Sequence, residues 1–248
     1  AQTSRTYGDP TGWSVSLPWI PQLGISLTFR MDALAYMMSL LVLGVGALVL
    51  AYCARYFKAD ARNTGSFAAQ LVAFAGAMFG LVTADDLMVL FVFWEITSVL
   101  SFLLISYSRT KLAARRAALQ ALIITTAGGL AMLVGLLMLA HAAGTMRISG
   151  VLAAAPGLLG SPTVDVALAL ILAGAVSKSA LFPTHFWLPA AMAAPTPVSA
   201  YLHAAAMVKA GIYLVARLAP GFAGTTWWLP ITLTLGPVSY THLRAHET

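Results

Sequence analysis

The stretch Lys178 to Gly211, KSALFPTHFWLPAAMAAPTPVSAYLHAAAMVKAG, decides how the rest of the chain is read. It sets two lysines and two histidines in apolar helical sequence and breaks that sequence at Pro183, Pro189, Pro195 and Pro197. In a water-soluble protein such a core would be odd. In a bilayer it reads as an interrupted helix carrying ionisable groups, the usual sign of an ion path.

Composition agrees. Of 248 residues, 60% are hydrophobic and 9% charged, against about 25% charged in a soluble domain. So few charges cannot keep a surface wet, and an all-α polytopic membrane bundle is the expected fold. The single cysteine, Cys53, excludes a disulfide framework and a cysteine metal site. The formal charge of +6 does not call for nucleic acid. Arg55, Lys58 and Arg62 form one basic group, and Arg109, Lys111, Arg115 and Arg116 another, each between apolar runs, where positive charge marks the cytoplasmic side. No phosphate loop, nucleotide fingerprint or metal-ligand spacing is present, so no cofactor is expected. The chain begins at Ala1 without methionine and is expected to be a piece of a longer one.

Working outward, residues 1–30 read as an extramembrane lead-in without a spanning run. Residues 31–236 read as the bundle, with about six full crossings and a partial one. Met31–Ala54 is the first crossing and Ser66–Val82 the second, the latter with a Gly76–Gly80 small-residue pair suited to close packing. Thr83–Tyr107 is the third, opened by a Thr83–Asp86 capping box with Asp85 in the same turn. Cap and interface anchor are the plain roles of Asp85 and Asp86; ion access is the alternative. Ala117–Ala140 is the fourth crossing, with His141 at its outer end. After a Gly/Ala-rich connection, Ser161–Pro162 opens the fifth, which Pro183 breaks. Thr196–Pro197 opens the sixth, ended by Pro220 and Gly221. Residues 237–248 turn abruptly polar and read as a non-native tail. The basic loops share the cytoplasmic face, which leaves Arg217 as one exception on the outer side.

With the tail set aside, Glu95 is the only glutamate. Twelve residues into a capped helix it would lie roughly 18 Å deep, where an acid or base costs about 2.5–3.5 kcal/mol on insertion scales. Packing alone is a poor reason to spend the only glutamate there. Lys178 lies one turn before Pro183, whose missing N–H should free backbone carbonyls beside the ammonium. Together Glu95 and Lys178 make a proton switch, because moving one changes the proton affinity of the other. In the next helix His203, the type of group that titrates near neutrality, and Lys209 are 600° apart at about 100° per residue. They would be successive steps rather than one face. His185, beside the break, is as well explained by interfacial anchoring with Trp187.

The segments FWEITSVLSFLLI (93–105), VSKSALFPTHFWLP (176–189) and APTPVSAYLHAAAMVKAGIYLVARL (194–218) resemble the proton-translocating, antiporter-like membrane subunits. The lead-in WIPQLGISLTFRMDAL (19–34), His185 and Lys209 are most similar to the large A-type subunits of multisubunit (Mrp-type) Na+/H+ antiporters. The related branch is the membrane-arm subunits of NADH–quinone oxidoreductase (complex I) and membrane hydrogenases. The resemblance implies a proton path through Glu95, Lys178, His203 and Lys209, with His185, Asp85 and Asp86 as weaker candidates. It further implies a secondary transporter subunit rather than an enzyme, moving H+ and Na+, set among other membrane subunits in a bacterial inner membrane.

Overall fold

The computed structural model describes residues 2–4, 12–20, 22, 25–57, 64–107, 112–192, 194–226 and 228–233. Lys58, Arg62, Arg109, Lys111 and the tail 237–248 lie outside the described residues. Eight helices follow a small sheet: α1 (Ala33–Tyr56), α2 (Thr64–Thr83), α3 (Leu87–Ile105), α4 (Leu112–Ala143), α5 (Ile148–Ala154), α6 (Pro162–Lys178), α7 (Trp187–Ala191) and α8 (Thr196–Phe222). Of these, α1, α2, α3, α4 and α8 are long and apolar enough to cross a membrane. The sixth crossing is the broken one. α6 has 17 residues, about 26 Å at 1.5 Å per residue, and stops at Lys178.

The helices close a ring in which α1, α2, α3, α4, α6 and α8 each pack on the next and α8 returns to α1. Its outer surface is oily: Tyr36, Met37, Leu40 and Leu48 of α1 are exposed, as are Leu119, Ile123 and Leu130 of α4. The polar groups turn inward, with Thr97, Ser98, Ser101, Thr125 and Lys178 all buried. That inversion is what hydrocarbon solvent demands. α4 and α6 meet through small residues; a Cβ at Gly135 or Gly174 would run into the facing helix. Of the expected Gly76–Gly80 pair, only Gly80 is in close contact, against Phe93 of α3.

The lead-in differs from the all-helical expectation. β1 (Gln2–Ser4), β2 (Trp13–Ile20) and β3 (Ile25–Met31) form an antiparallel meander in sequence order. β2 and β3 alternate apolar and polar residues, WSVSL and ISLTFRM, the period of a half-buried strand. The register pairs Val15 with Phe29 and Ser16 with Thr28, whose hydroxyls hydrogen-bond at 3.1 Å.

Several helix ends also differ from expectation. Asp86 is itself the N-cap of α3, accepting from Met88 N and Val89 N, while Thr83 closes α2 with its hydroxyl donating to Phe79 O. There is thus no Thr83–Asp86 capping box; the turn is too short for Thr83 to precede α3. The first helical residue of α8 is Thr196, capped by Pro195, and α8 runs through Pro220 to Phe222. The 142–161 connection contains α5 and a 3-10 turn at Ala155–Gly157.

Candidate functional site

Lys178 is fully buried at the C-terminal end of α6 and reaches across to α3. Its Nζ donates to Trp94 O at 2.6 Å, Thr97 Oγ1 at 2.6 Å and Ser98 Oγ at 2.9 Å. Positions 94, 97 and 98 follow the i, i+3, i+4 spacing that puts side chains on one helical face. Three acceptors for three N–H donors satisfy the ammonium completely, and the Trp94 ring lies 4.7 Å away as a further electrostatic partner.

Glu95 is the next residue on α3 after Trp94 and turns toward α4. Its half-buried side chain comes up against Gly129, where a Cβ would overlap Oε1. Thr126, one turn earlier on α4, is its polar neighbour. Oε1 is buried and has no hydrogen-bond partner. Glu95 and Lys178 couple electrostatically, yet make no ion pair within 4.0 Å. The carboxylate therefore faces the bundle interior with a basic group in range, as an ion path requires. Because α3 starts at Leu87 rather than Thr83, its depth is about 12 Å rather than 18 Å.

Beyond Lys178 the chain unwinds, but the freed carbonyls do not serve the ammonium. Ser177 O accepts from Trp187 Nε1 at 2.9 Å, and Val176 O from Leu181 N at 3.1 Å and the Thr184 hydroxyl at 3.3 Å. Trp187 is fully buried, not an interfacial anchor. It folds α7 back under α6 and presents its ring to His203, 6.0 Å between centroids.

His203 is buried and neither ring nitrogen has a hydrogen-bond partner. It sits in Ser199–Ala206, a π-helical segment of α8. The expected 600° separation from Lys209 assumed an unbroken α-helix and does not apply across this segment. Lys209 is half-buried in the α-helical part that follows. His185 stacks on Phe182 at 5.9 Å, in the unwound stretch. Thus Glu95 and Lys178 are brought together, His203 is joined to them through Trp187, and Lys209 and His185 stand apart.

Asp85 and Asp86 are placed as caps. Asp85 accepts from Ser149 N (3.0 Å) and Ser149 Oγ (2.7 Å), closing the start of α5, while its own N–H donates to Thr28 O of β3 at 2.8 Å. Burial pushes the Asp86 carboxyl above its ordinary value, against the N–H groups it caps. One polar cluster lay outside the sequence reading. Arg217 of α8 pairs with Asp32, the N-cap of α1, and its Nε donates to Tyr213 Oη at 3.0 Å, which in turn donates to Val82 O at 2.8 Å. Burial raises the Asp32 carboxyl, but Arg217 and the Ala35 N–H outweigh it and hold the group below its usual range. The clue in the sequence was Arg217 itself, stranded on the outer side with Asp32 the acid at that end of the bundle.

Known proteins supply the remaining context. The family model "NADH:quinone oxidoreductase/Mrp antiporter, TM" matches residues 84–241, and "NADH-Ubiquinone oxidoreductase (complex I), chain 5 N-terminus" matches residues 19–67. A Rhizobium meliloti protein, named as the A/B subunit of a probable K(+)/H(+) antiporter, is 48% identical over 86% of this chain and 21% of its own length. The large A-type subunit of the Na(+)/H(+) antiporter of Alkalihalophilus pseudofirmus is 46% identical over 90% of this chain and 28% of its own. The solved Mrp complex from Dietzia sp. superposes with a TM-score of 0.86 at 40% identity, over 93% of this chain and 25% of that one. The chain thus spans about a quarter of the length of these relatives. With most of its length matched from Ala84 onward, it belongs to the NADH:quinone oxidoreductase/Mrp antiporter transmembrane family.

Proposed function

We propose that this chain is part of the large, proton-conducting A-type subunit of a multisubunit Na+/H+ antiporter in a bacterial cell membrane, working with other membrane subunits and without a cofactor. The observation that carries the reading is the Glu95–Lys178 pair. A buried carboxylate with an unpartnered oxygen lies beside a fully hydrogen-bonded ammonium, on two helices that a glycine allows to meet closely. Intramembrane acids and bases arranged in this way serve proton relays. Glu95 takes up the proton, Lys178 answers the change of charge, and His203 and Lys209 carry it along α8. His185 is a secondary candidate at the mouth of the unwound stretch.

The test uses the full-length protein assembled with its partner subunits in everted vesicles carrying a preformed pH gradient. Adding Na+ should collapse the gradient in the wild type and fail to do so in Glu95→Gln, with assembly unchanged. Full antiport by the Glu95→Gln complex would sink the reading. The name of the Rhizobium meliloti relative supports K+ as the second candidate cation, and the same vesicles decide between the two. The family also includes redox-driven subunits. NADH-dependent proton pumping lost in Glu95→Gln, without cation-dependent collapse, would move the chain to that branch.

A further inference from the structure

At the end of the bundle opposite the sheet, α3 and α4 splay to leave an open pocket of about 580 Å³ lined by Phe102, Ser106, Leu112, Arg115, Arg116 and Leu119. Its two halves differ in character. Arg115 and Arg116 are exposed in the first turns of α4, and no carboxylate lines the pocket. Leu112 and Leu119, 57% and 51% exposed, continue it as an oily wall on the lipid-facing side of α4, and Phe102 closes it on α3.

Two cations at the polar boundary, above apolar groups at hydrocarbon depth, match one class of molecule: an anionic lipid with its phosphate outermost and its chains below. Basic pockets between membrane helices on the cytoplasmic side bind such headgroups, and the positive-inside bias puts this end of the bundle in the cytoplasm. We infer that the pocket between the cytoplasmic ends of α3 and α4 is a binding site for an anionic phospholipid of the inner leaflet. Arg115 and Arg116 hold the phosphate, and Leu119 and Phe102 hold the start of an acyl chain. The site would brace the two helices that carry Glu95 and its neighbours Thr126 and Gly129, although binding itself does not depend on transport.

Native mass spectrometry of the delipidated full-length complex tests this, with phosphatidylglycerol, phosphatidylcholine or inorganic phosphate added back. Phosphatidylglycerol should be retained in preference to phosphatidylcholine. The double variant Arg115→Gln/Arg116→Gln should bind it roughly thirtyfold more weakly, from about a kcal/mol per basic residue near the surface. Leu119→Trp, which fills the apolar half and leaves both charges, should also lose one bound lipid. Thermal unfolding in phosphatidylcholine should be unchanged in both variants, because the altered side chains are exposed. Equal retention of phosphatidylglycerol by wild type and the double variant would overturn the site. Displacement of the lipid by inorganic phosphate, with Leu119→Trp unaffected, would make it a free-phosphate site instead. Occupation of the pocket by another part of the complex, seen as no lipid bound in the wild type, would also overturn it.

Discussion

Gly129 gives the most direct test at the residue scale. A methyl group there would collide with Glu95 Oε1, so Gly129→Ala must push the carboxylate away from the α3–α4 contact. Alanine is also the better helix former by about 1 kcal/mol. The prediction is therefore a split result: antiport by the full-length complex falls at least tenfold, while the thermal midpoint holds or rises. A variant that transports normally would mean that the position of Glu95 does not matter. Asp86 separates cap from conductor in a similar way. Asparagine caps a helix as well as aspartate, whereas alanine costs about 1 kcal/mol. Asp86→Asn should keep both fold and transport, and Asp86→Ala should lower stability alone; loss of transport in Asp86→Asn would restore an ion-access role. The pH sign follows from the raised Asp86 carboxyl. Above its ordinary 3.8 the folded protein holds this proton more tightly than the unfolded chain. The advantage is complete below that value and is lost as pH rises through the folded one. Asp86→Asn should flatten that part of the stability profile, which denaturation across the acid range would show.

At the scale of elements, what the sequence revealed depended on range. The depth of Glu95, the stop of α6 before Pro183 and the burial of His203 all follow from local composition and periodicity, and all are present. The meander was equally legible: Trp13–Leu17 and Ile25–Met31 alternate with period two, and the search for spanning runs passed over it. The π-helical stretch was not legible, because Ser199–Ala206 has no proline or glycine to announce a change of winding. It depends on neighbours instead, such as Tyr201, whose hydroxyl donates to Val42 O of α1 at 2.9 Å. Nor could the sequence assign Lys178 its partners, since Trp94, Thr97 and Ser98 lie eighty or more residues away on α3, with Ser98 the nearest at a separation of 80. Removing the extra winding tests its use. Deleting Ala200 should return the segment to regular α-helix and turn the chain before it by about 100° relative to Lys209. His203 would then lose its place against Trp187. The deleted complex should insert and assemble but conduct no protons; normal transport would show the winding to be incidental.

Across the whole molecule, the Arg217–Asp32 pair joins residues 185 apart and ties the first helix to the last at the outer face. Breaking it leaves Arg217 buried without its carboxylate, so Asp32→Asn and Arg217→Gln should each cost about 2 kcal/mol, in the range for hydrogen bonds to charged groups. The double variant should cost clearly less than their sum, read as a coupling in denaturation of the full-length protein. Additive losses would mean that the contact contributes nothing. Since Asp32 is held below its ordinary 3.8, its contribution is present above that value and disappears as pH falls through the lower folded one.

The glycine contacts along α6 have a mechanical consequence. Gly174 and Gly135 seat it against α4, and Gly211 of α8 meets the backbone at Ala175, so α6 is clamped on both flanks like a rail. A clamped rail cannot twist or slide without forcing its neighbours apart. Whatever displacement accompanies each turnover must then be concentrated in the hinge from Ser179 to Pro195, and deuterium uptake during cycling should be fastest there and slowest along α6.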